Sequence, residues 1–274
     1  LNAFSVDVED YFQVNAFERA IPRDSWGSFE PRVERNTRRL LDLCNEYGVR
    51  GTFFTLGWVA DRWPALVREI RDAGHELATH GQDHRRVTSM TPEQFRADVR
   101  RSKRTIEDAA GVEVIGYRAP SYSIVRETMW AVDVLIEEGF RYDSSIFPIH
   151  HDRYGIPDFP RFQRPVRGGS GELQELPIST IRVGRTNLPF VGGGYLRHFP
   201  MPFIRWGMRR LNQRERRPAV VYVHPWEIDP GQPVQPVGAL TRLRHYRNLG
   251  LTEGRLARLF SEYTFTTCRE ILAL

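Results

Sequence analysis

Phe4-Ser5-Val6-Asp7-Val8-Glu9 alternates apolar and polar residues with the period of a half-buried strand, which puts Ser5, Asp7 and Glu9 on one face. Acidic residues therefore gather at the end of that strand. Between residues 32 and 47, Val33, Thr37, Leu40, Leu41 and Cys44 recur at helical spacing, and Gly48 stands where a left-handed cap is expected. Val49-Arg50-Gly51-Thr52-Phe53-Phe54-Thr55-Leu56 then reads as a buried strand, which completes a strand, helix, strand unit.

The unit repeats downstream. A helix over 60–73 is stopped by Gly74, and a strand over 75–79 runs into His80. Thr91-Pro92-Glu93-Gln94 opens the next helix: Thr91 can cap it, Pro92 suits its first position and Gln94 can close a capping box. A strand over 112–117, a helix over 128–138 ended by Gly139, and a strand over 140–143 follow. This alternation predicts an α/β fold of parallel strands with helices outside, and the length suits one domain over 1–274. The rhythm breaks between about 150 and 218 into Pro- and Gly-rich sequence with short strands such as 172–178 and a turn at Gly192-Gly193-Gly194; a loop-rich insertion of this kind is expected to be functional. A strand over 219–223 leads to His224. A C-terminal extension from about 229 carries an amphipathic helix over 252–263 and a short strand over 264–267.

The net charge of +5 is spread over helices, as from Arg96 to Arg104, and not gathered in one run. A solvated helix face accounts for it, with an acidic glycan or anionic surface as the sharper reading. No RNA-binding motif or zinc-finger spacing promotes nucleic acid as a partner. Cys44 and Cys268 each sit in an apolar stretch and read as buried free thiols. No run of about 18 apolar residues predicts a membrane span, and no charged-then-apolar leader is visible. A cytoplasmic or membrane-peripheral location is expected on that ground, with the periplasm left open. Oligomeric state is not read from the sequence.

Each polar cluster of interest falls at the carboxyl end of a predicted strand: Asp7 to Asp10, His80 to His84, Arg118 to Tyr122, Asp143, and His224 to Glu227. Active sites of parallel α/β barrels assemble at that end. His80 and His84, four apart, would share one side of a helical turn and reach one cation, although such a pair is more often two surface histidines. A carboxylate from the first strand end would complete a shell of two histidines and one acid, a set used by zinc and by other divalent ions. Hydrolysis of an amide near neutral pH also needs a base and an acid, for which Asp7 and His224 are candidates.

The ordered set Ser5-Val6-Asp7-Val8-Glu9-Asp10, Thr52-Phe53-Phe54, His80-Gly81-Gln82-Asp83-His84, Arg118-Ala119-Pro120-Ser121-Tyr122 and Tyr222-Val223-His224-Pro225 resembles the NodB-homology polysaccharide deacetylases, carbohydrate esterase family 4. Asp7-Val8-Glu9-Asp10-Tyr11-Phe12, His224-Pro225-Trp226-Glu227 and Arg244-His245-Tyr246-Arg247-Asn248-Leu249 look closest to a bacterial branch found beside exopolysaccharide and exosortase gene clusters. The resemblance spans nearly the whole chain and implies a distorted (β/α) barrel of about seven parallel strands. It implies a metal-dependent hydrolase that removes N-acetyl groups from hexosamine units of a polysaccharide, with an N-acetylated glycan as partner. Zinc is the first expectation, with cobalt, nickel and iron as alternatives.

Laid on residue by residue, the resemblance makes Asp7 the base, Arg118 the arginine that orients it, and His80 and His84 the metal histidines. The family's adjacent Asp pair is replaced here, so the carboxylate ligand is Glu9 or Asp10, with Glu9 favoured because it shares the strand face of Asp7. Gly81 stands where Ser or Thr is usual. The backbone N–H of Ser121 or Tyr122 is expected to help bind the oxyanion, His224 matches the acid, and Asp143 is expected to tune it. Trp226 and Trp58 are candidates for stacking on sugar rings, against core packing as the alternative. Two other functions stay open: a cyclic amide or allantoinase-like hydrolase on the same fold, and an inactive glycan-binding module.

Overall fold

The computed structural model describes residues 1–274. Its strands are β1 (Asn2–Val8), β2 (Thr52–Thr55), β3 (Glu76–Thr79), β4 (Gly116–Tyr117), β5 (Tyr142–Asp143), β6 (Arg164–Gly168), β7 (Gly171–Glu175), β8 (Thr180–Val183), β9 (Thr186–Pro189), β10 (Val220–Val223) and β11 (Phe265–Thr266). Nine of them form one sheet in the order β10-β1-β2-β3-β4-β5-β7-β6, with β11 also paired to β1; β8 and β9 make a separate hairpin. Seven strands from β10 to β7 run parallel along that path, and only β6 is antiparallel to its neighbour. The α/β architecture and the mainly parallel sheet are those the alternation predicts. No ladder joins the two ends of the path. Beside β10 the Val220 N–H donates to Ser179 Oγ at 2.7 Å, so a side chain stands where a neighbouring strand's carbonyl would.

The strands bury both faces, each for a different reason. Phe4, Val6, Val8, Phe53, Leu77, Val221 and Val223 pack outward in a 50-residue core with helices α1 (Val33–Glu46), α2 (Gly57–Arg62), α3 (Pro64–Asp72), α4 (Pro92–Ala110) and α5 (Ala131–Glu137). The alternate residues Ala3, Phe54, Ala78, Tyr142, Val220 and Tyr222 form a smaller interior cluster on the other side. Every residue of β1 is buried, which corrects the expectation of a half-buried strand. The polar positions Ser5 and Asp7 face an enclosed interior, not water, and find partners there.

Local signals are met unevenly. The Thr91–Gln94 capping box forms, and Gly48 adopts φ 62°. The helix expected over 60–73 is two helices, because Pro64 disfavours helical geometry at Trp63 (φ −127°, ψ 61°). The strand expected over 112–117 is two residues long, and the helix over 128–138 begins at Ala131. Residues 193–209 add two short helices, Gly193–His198 and Met201–Arg209. The C-terminal segment returns to the sheet through β11, and Cys268 N–H donates to Thr52 Oγ1 at 2.7 Å. Both cysteines are buried and free. No helix is long and apolar enough to cross a membrane.

Candidate active site

The inner face of β1 carries Ser5 and Asp7, and the chain turns after Val8 with Glu9 N–H bonded to Asp7 O at 3.0 Å. Glu9 is thereby brought against the loop that follows β3. Glu9, His80 and His84 offer ligand atoms that all lie within 4.8 Å of one another, and all three residues are buried. The two histidines do not share a helical turn, as their spacing suggested. They sit on a loop bent at Gly81 (φ 80°) and at His84 itself (φ 55°), with ring centroids 5.2 Å apart.

That loop is held from behind. Gly81 N–H donates to Thr79 Oγ1 (3.1 Å) and Gln82 N–H to Asp98 Oδ2 (3.0 Å), bonds that come from the strand end and from α4. A Cβ at position 81 would lie 2.9 Å from the Asp98 carboxylate at a positive φ, so the glycine is a steric requirement of this loop.

Outer hydrogen bonds set the imidazoles. His80 Nδ1 lies 2.9 Å from the Arg118 carbonyl, and His84 Nδ1 lies 3.2 Å from Asn15 Oδ1. Both neighbours are acceptors, so the proton is assigned to Nδ1 and the Nε2 lone pair is left free, as a metal ligand requires. Burial pushes His80 down to about 4, which keeps it neutral at pH 7. Burial acts to raise Glu9, but His84, His224 and His80 around it prevail and hold its carboxyl well below the usual range. His84 Nε2 approaches Glu9 Oε2 to 2.7 Å without hydrogen-bond geometry, and Oε2 is buried with no donor. A divalent cation shared by these atoms would satisfy that orphaned oxygen, so the residues fit the metal that the resemblance implies. The other oxygen, Glu9 Oε1, accepts from Trp226 Nε1 at 3.1 Å.

Asp10 is directed elsewhere. Its carboxylate accepts N–H bonds from Tyr11 (2.8 Å), Arg32 (2.7 Å) and Val33 (2.9 Å), at the start of α1. Free helix-terminal N–H groups and the positive end of the helix dipole account for that choice, and Asp10 takes no place in the three-residue cluster.

Asp7 Oδ1 lies 2.7 Å from Arg118 Nη1, and Asp7 Oδ2 lies 3.9 Å from His224 Nε2. Arg118 is wholly buried. It also donates to Ser5 Oγ, Ser144 O and Ser144 Oγ at 2.8, 3.1 and 3.0 Å, and its guanidinium lies over the Phe54 ring at 4.0 Å. Such a planar fork fixes one carboxylate orientation.

His224 follows β10 on the same interior face, with Nε2 3.8 Å from Glu9 Oε1. Its Nδ1 is 2.9 Å from Glu227 Oε2, and Glu227 Oε1 is 2.6 Å from Arg197 Nε. Burial acts to lower His224, yet Glu227, Glu9 and Asp7 overcome it and push it up to about 9. Burial acts to raise Glu227, yet Arg197 and His224 overcome it and bring it down to about 2. The carboxylate that holds His224 is therefore Glu227, not Asp143. Asp143 is bonded to Ser145 Oγ and stands opposite Glu175 in the β5–β7 ladder, where burial pushes both carboxyls up. Glu227 and Arg197 were missed as a pair. The three-residue spacing from His224 was a usable signal for Glu227; Arg197 left none.

Ser121 and Tyr122 both adopt left-handed backbone (φ 53° and 54°). The Tyr122 N–H is bonded to Ala119 O at 3.0 Å, which leaves the Ser121 N–H as the free donor of the two. The Tyr122 ring packs in the interior against Tyr222, centroids 5.2 Å apart. Trp226 offers no face to a sugar. It is 6% exposed and lies between His224 (5.1 Å, 21°) and His245 (4.3 Å, 14°). Trp58 is likewise engaged, with Arg62 over its ring at 3.8 Å and Trp26 edge-on at 5.6 Å.

Residues 23–138 match the family model for polysaccharide deacetylase, and residues 144–273 match one described as a domain of unknown function (DUF3473). A peptidoglycan deacetylase from Helicobacter pylori is 32% identical over 114 residues, which are 42% of this chain and 37% of that protein. The chain thus spans well under half the length of the curated relatives it matches first. A Mycobacterium smegmatis crystal structure described as a candidate polysaccharide deacetylase superposes with a TM-score of 0.61 at 24% identity, covering 96% of this chain and 85% of that one. A CE4 family pseudoenzyme from Bacillus anthracis gives 0.51 at 14% identity, covering 99% and 65%. The structural likenesses establish the fold. The likeness to the polysaccharide deacetylase family model lies in residues 23–138.

Proposed function

We propose that the protein is a metal-dependent deacetylase that hydrolyses N-acetyl groups on hexosamine units of a polysaccharide, with the metal held by Glu9, His80 and His84. The observation that carries this reading is the convergence on one cluster: His224 Nε2 stands 3.8 Å from Glu9 and 3.9 Å from Asp7, beside the two candidate metal histidines. When bound, the metal supplies polarisation of the acetyl carbonyl and acidification of a water.

The chain's own residues account for the remaining steps. Asp7, oriented by Arg118, takes one proton from the water as its oxygen adds to the carbonyl carbon. The free Ser121 N–H is the backbone donor for the developing oxyanion. His224, kept protonated by Glu227, gives its proton to the departing nitrogen as the C–N bond breaks. Acetic acid and a free amine result with Asp7 protonated and His224 neutral, and the proton on Asp7 passes through solvent to His224 for the next cycle. Peptidoglycan deacetylation in a relative and the exopolysaccharide-associated motifs support two polymers as substrate, and the motifs around Asp7 and His224 favour an exopolysaccharide.

The test combines metal analysis of the purified protein with acetate release from chitooligosaccharides, peptidoglycan and exopolysaccharide. Release that a chelator stops and a divalent metal restores is the expected result. Metal-loaded protein that frees no acetate from any of the three overturns the proposal.

A further inference from the structure

Asn15 lies in a short turn (Asn15–Phe17) between β1 and α1, before the residues that match either family model. Its amide is shared between two elements. Oδ1 faces His84 Nδ1 at 3.2 Å, and Nδ2 donates to Ser121 Oγ at 2.7 Å. Both recipients hold left-handed backbone, at φ 55° and φ 53°, which non-glycine residues adopt only where surrounding contacts enforce it. The same N-terminal segment reinforces the first of them, since Arg23 donates to the carbonyls of Asp83 (2.9 Å) and His84 (3.1 Å). A carboxamide offers one acceptor and one donor group, the pair needed to take an imidazole N–H and bind a hydroxyl. Turned the other way, its NH₂ would face Nδ1 and drive the imidazole proton to Nε2, the atom that faces Glu9.

We propose that Asn15 is a positioning residue that fixes the metal-binding tautomer of His84 and ties it to the oxyanion loop at Ser121, so that both halves of the site are set by one side chain. This rests on the reading of Glu9, His80 and His84 as a metal site. Asn15 touches neither substrate nor reacting atoms; it acts through its two partners.

The experiment compares wild type, Asn15→Leu and Asn15→Asp by zinc competition against a chromophoric chelator, with melting in EDTA as the check on folding. Asn15→Leu is expected to weaken zinc about 10- to 100-fold and to lower kcat more than it raises KM. Asn15→Asp keeps an acceptor for His84 and can accept the Ser121 hydroxyl, so its zinc affinity should recover to within a few-fold of wild type. Should Asn15→Leu lose its EDTA melting transition, Ser121→Ala, which frees one side of the amide, is expected to weaken zinc several-fold. Tight zinc binding by a folded Asn15→Leu, by Ser121→Ala in its place, or no recovery in Asn15→Asp, overturns the role of Asn15 alone. Failure of the wild type to bind any divalent ion overturns the metal reading beneath it.

Discussion

His224 and Glu227 share a 2.9 Å contact between Nδ1 and Oε2 on the turn after β10, and the second carboxylate oxygen is held by buried Arg197. The imidazole is thus kept protonated well above its ordinary range, the state that the proposed acid role requires.

The sign of the pH effect follows from these shifts. His224 is raised from 6.5 to about 9, so its contribution to stability is complete below about pH 6.5 and disappears as pH rises through about 9. Glu227 is lowered from 4.5 to about 2, so its contribution is present above about 4.5 and is lost as pH falls through about 2. The pair stabilises fully between about pH 4.5 and 6.5. An NMR titration of metal-free protein should place His224 well above 6.5, and the alkaline limb of kcat/KM should move to lower pH in Glu227→Gln. Asp143→Asn should leave that limb in place; a shift there and none in Glu227→Gln would reverse the assignment.

Asp7→Asn preserves the shape that Arg118 grips but removes the carboxylate proposed as the base. Activity should fall about 100- to 10,000-fold, with zinc affinity nearly unchanged. Arg118→Met leaves a buried carboxylate unpaired and should cost about 3–5 kcal/mol of stability in urea unfolding. Asp7→Asn in turn leaves the buried Arg118 guanidinium without its counter-charge, so both variants lose stability; activity close to wild type in folded Asp7→Asn would contradict the role as base.

Glu9→Gln and Asp10→Asn separate the neighbouring acids. The first should abolish zinc binding. The second should retain zinc and destabilise the start of α1 by about 1 kcal/mol, the net worth of the hydrogen bond that one carboxamide oxygen can no longer accept. Zinc loss in Asp10→Asn, measured by competition, would count against the cluster geometry.

Trp226→Phe keeps a ring between His224 and His245 but removes the N–H that Glu9 Oε1 accepts. Weaker zinc binding with an unchanged KM for glycan is expected from isothermal titration and steady-state kinetics. A rise in KM with zinc affinity intact would restore Trp226 to the sugar site.

Much of this was legible from the chain alone because it is periodic or local. Strand and helix alternation marks the parallel sheet, and strand-end clusters mark Asp7, Glu9, His80, His84, Arg118 and His224. The two-residue alternation of β1 was readable as a pattern but not as an environment: Ser5 and Asp7 look like a solvent face until Arg118 is found against them. That Asp10 turns away from the Glu9, His80 and His84 cluster rests on free N–H groups at Arg32 and Val33, which no reading of residues 5–10 could supply.

The sequence by itself determined which residue types stand at which strand ends, since backbone periodicity and turn chemistry act over a few residues. Only the tertiary structure decided which of them meet. Arg197, Glu227 and His224 form a line, Asn15 spans His84 and Ser121, and Asp143 faces Glu175, because buried charges and donors take whatever partner the packed interior brings within reach, however far away it lies along the chain.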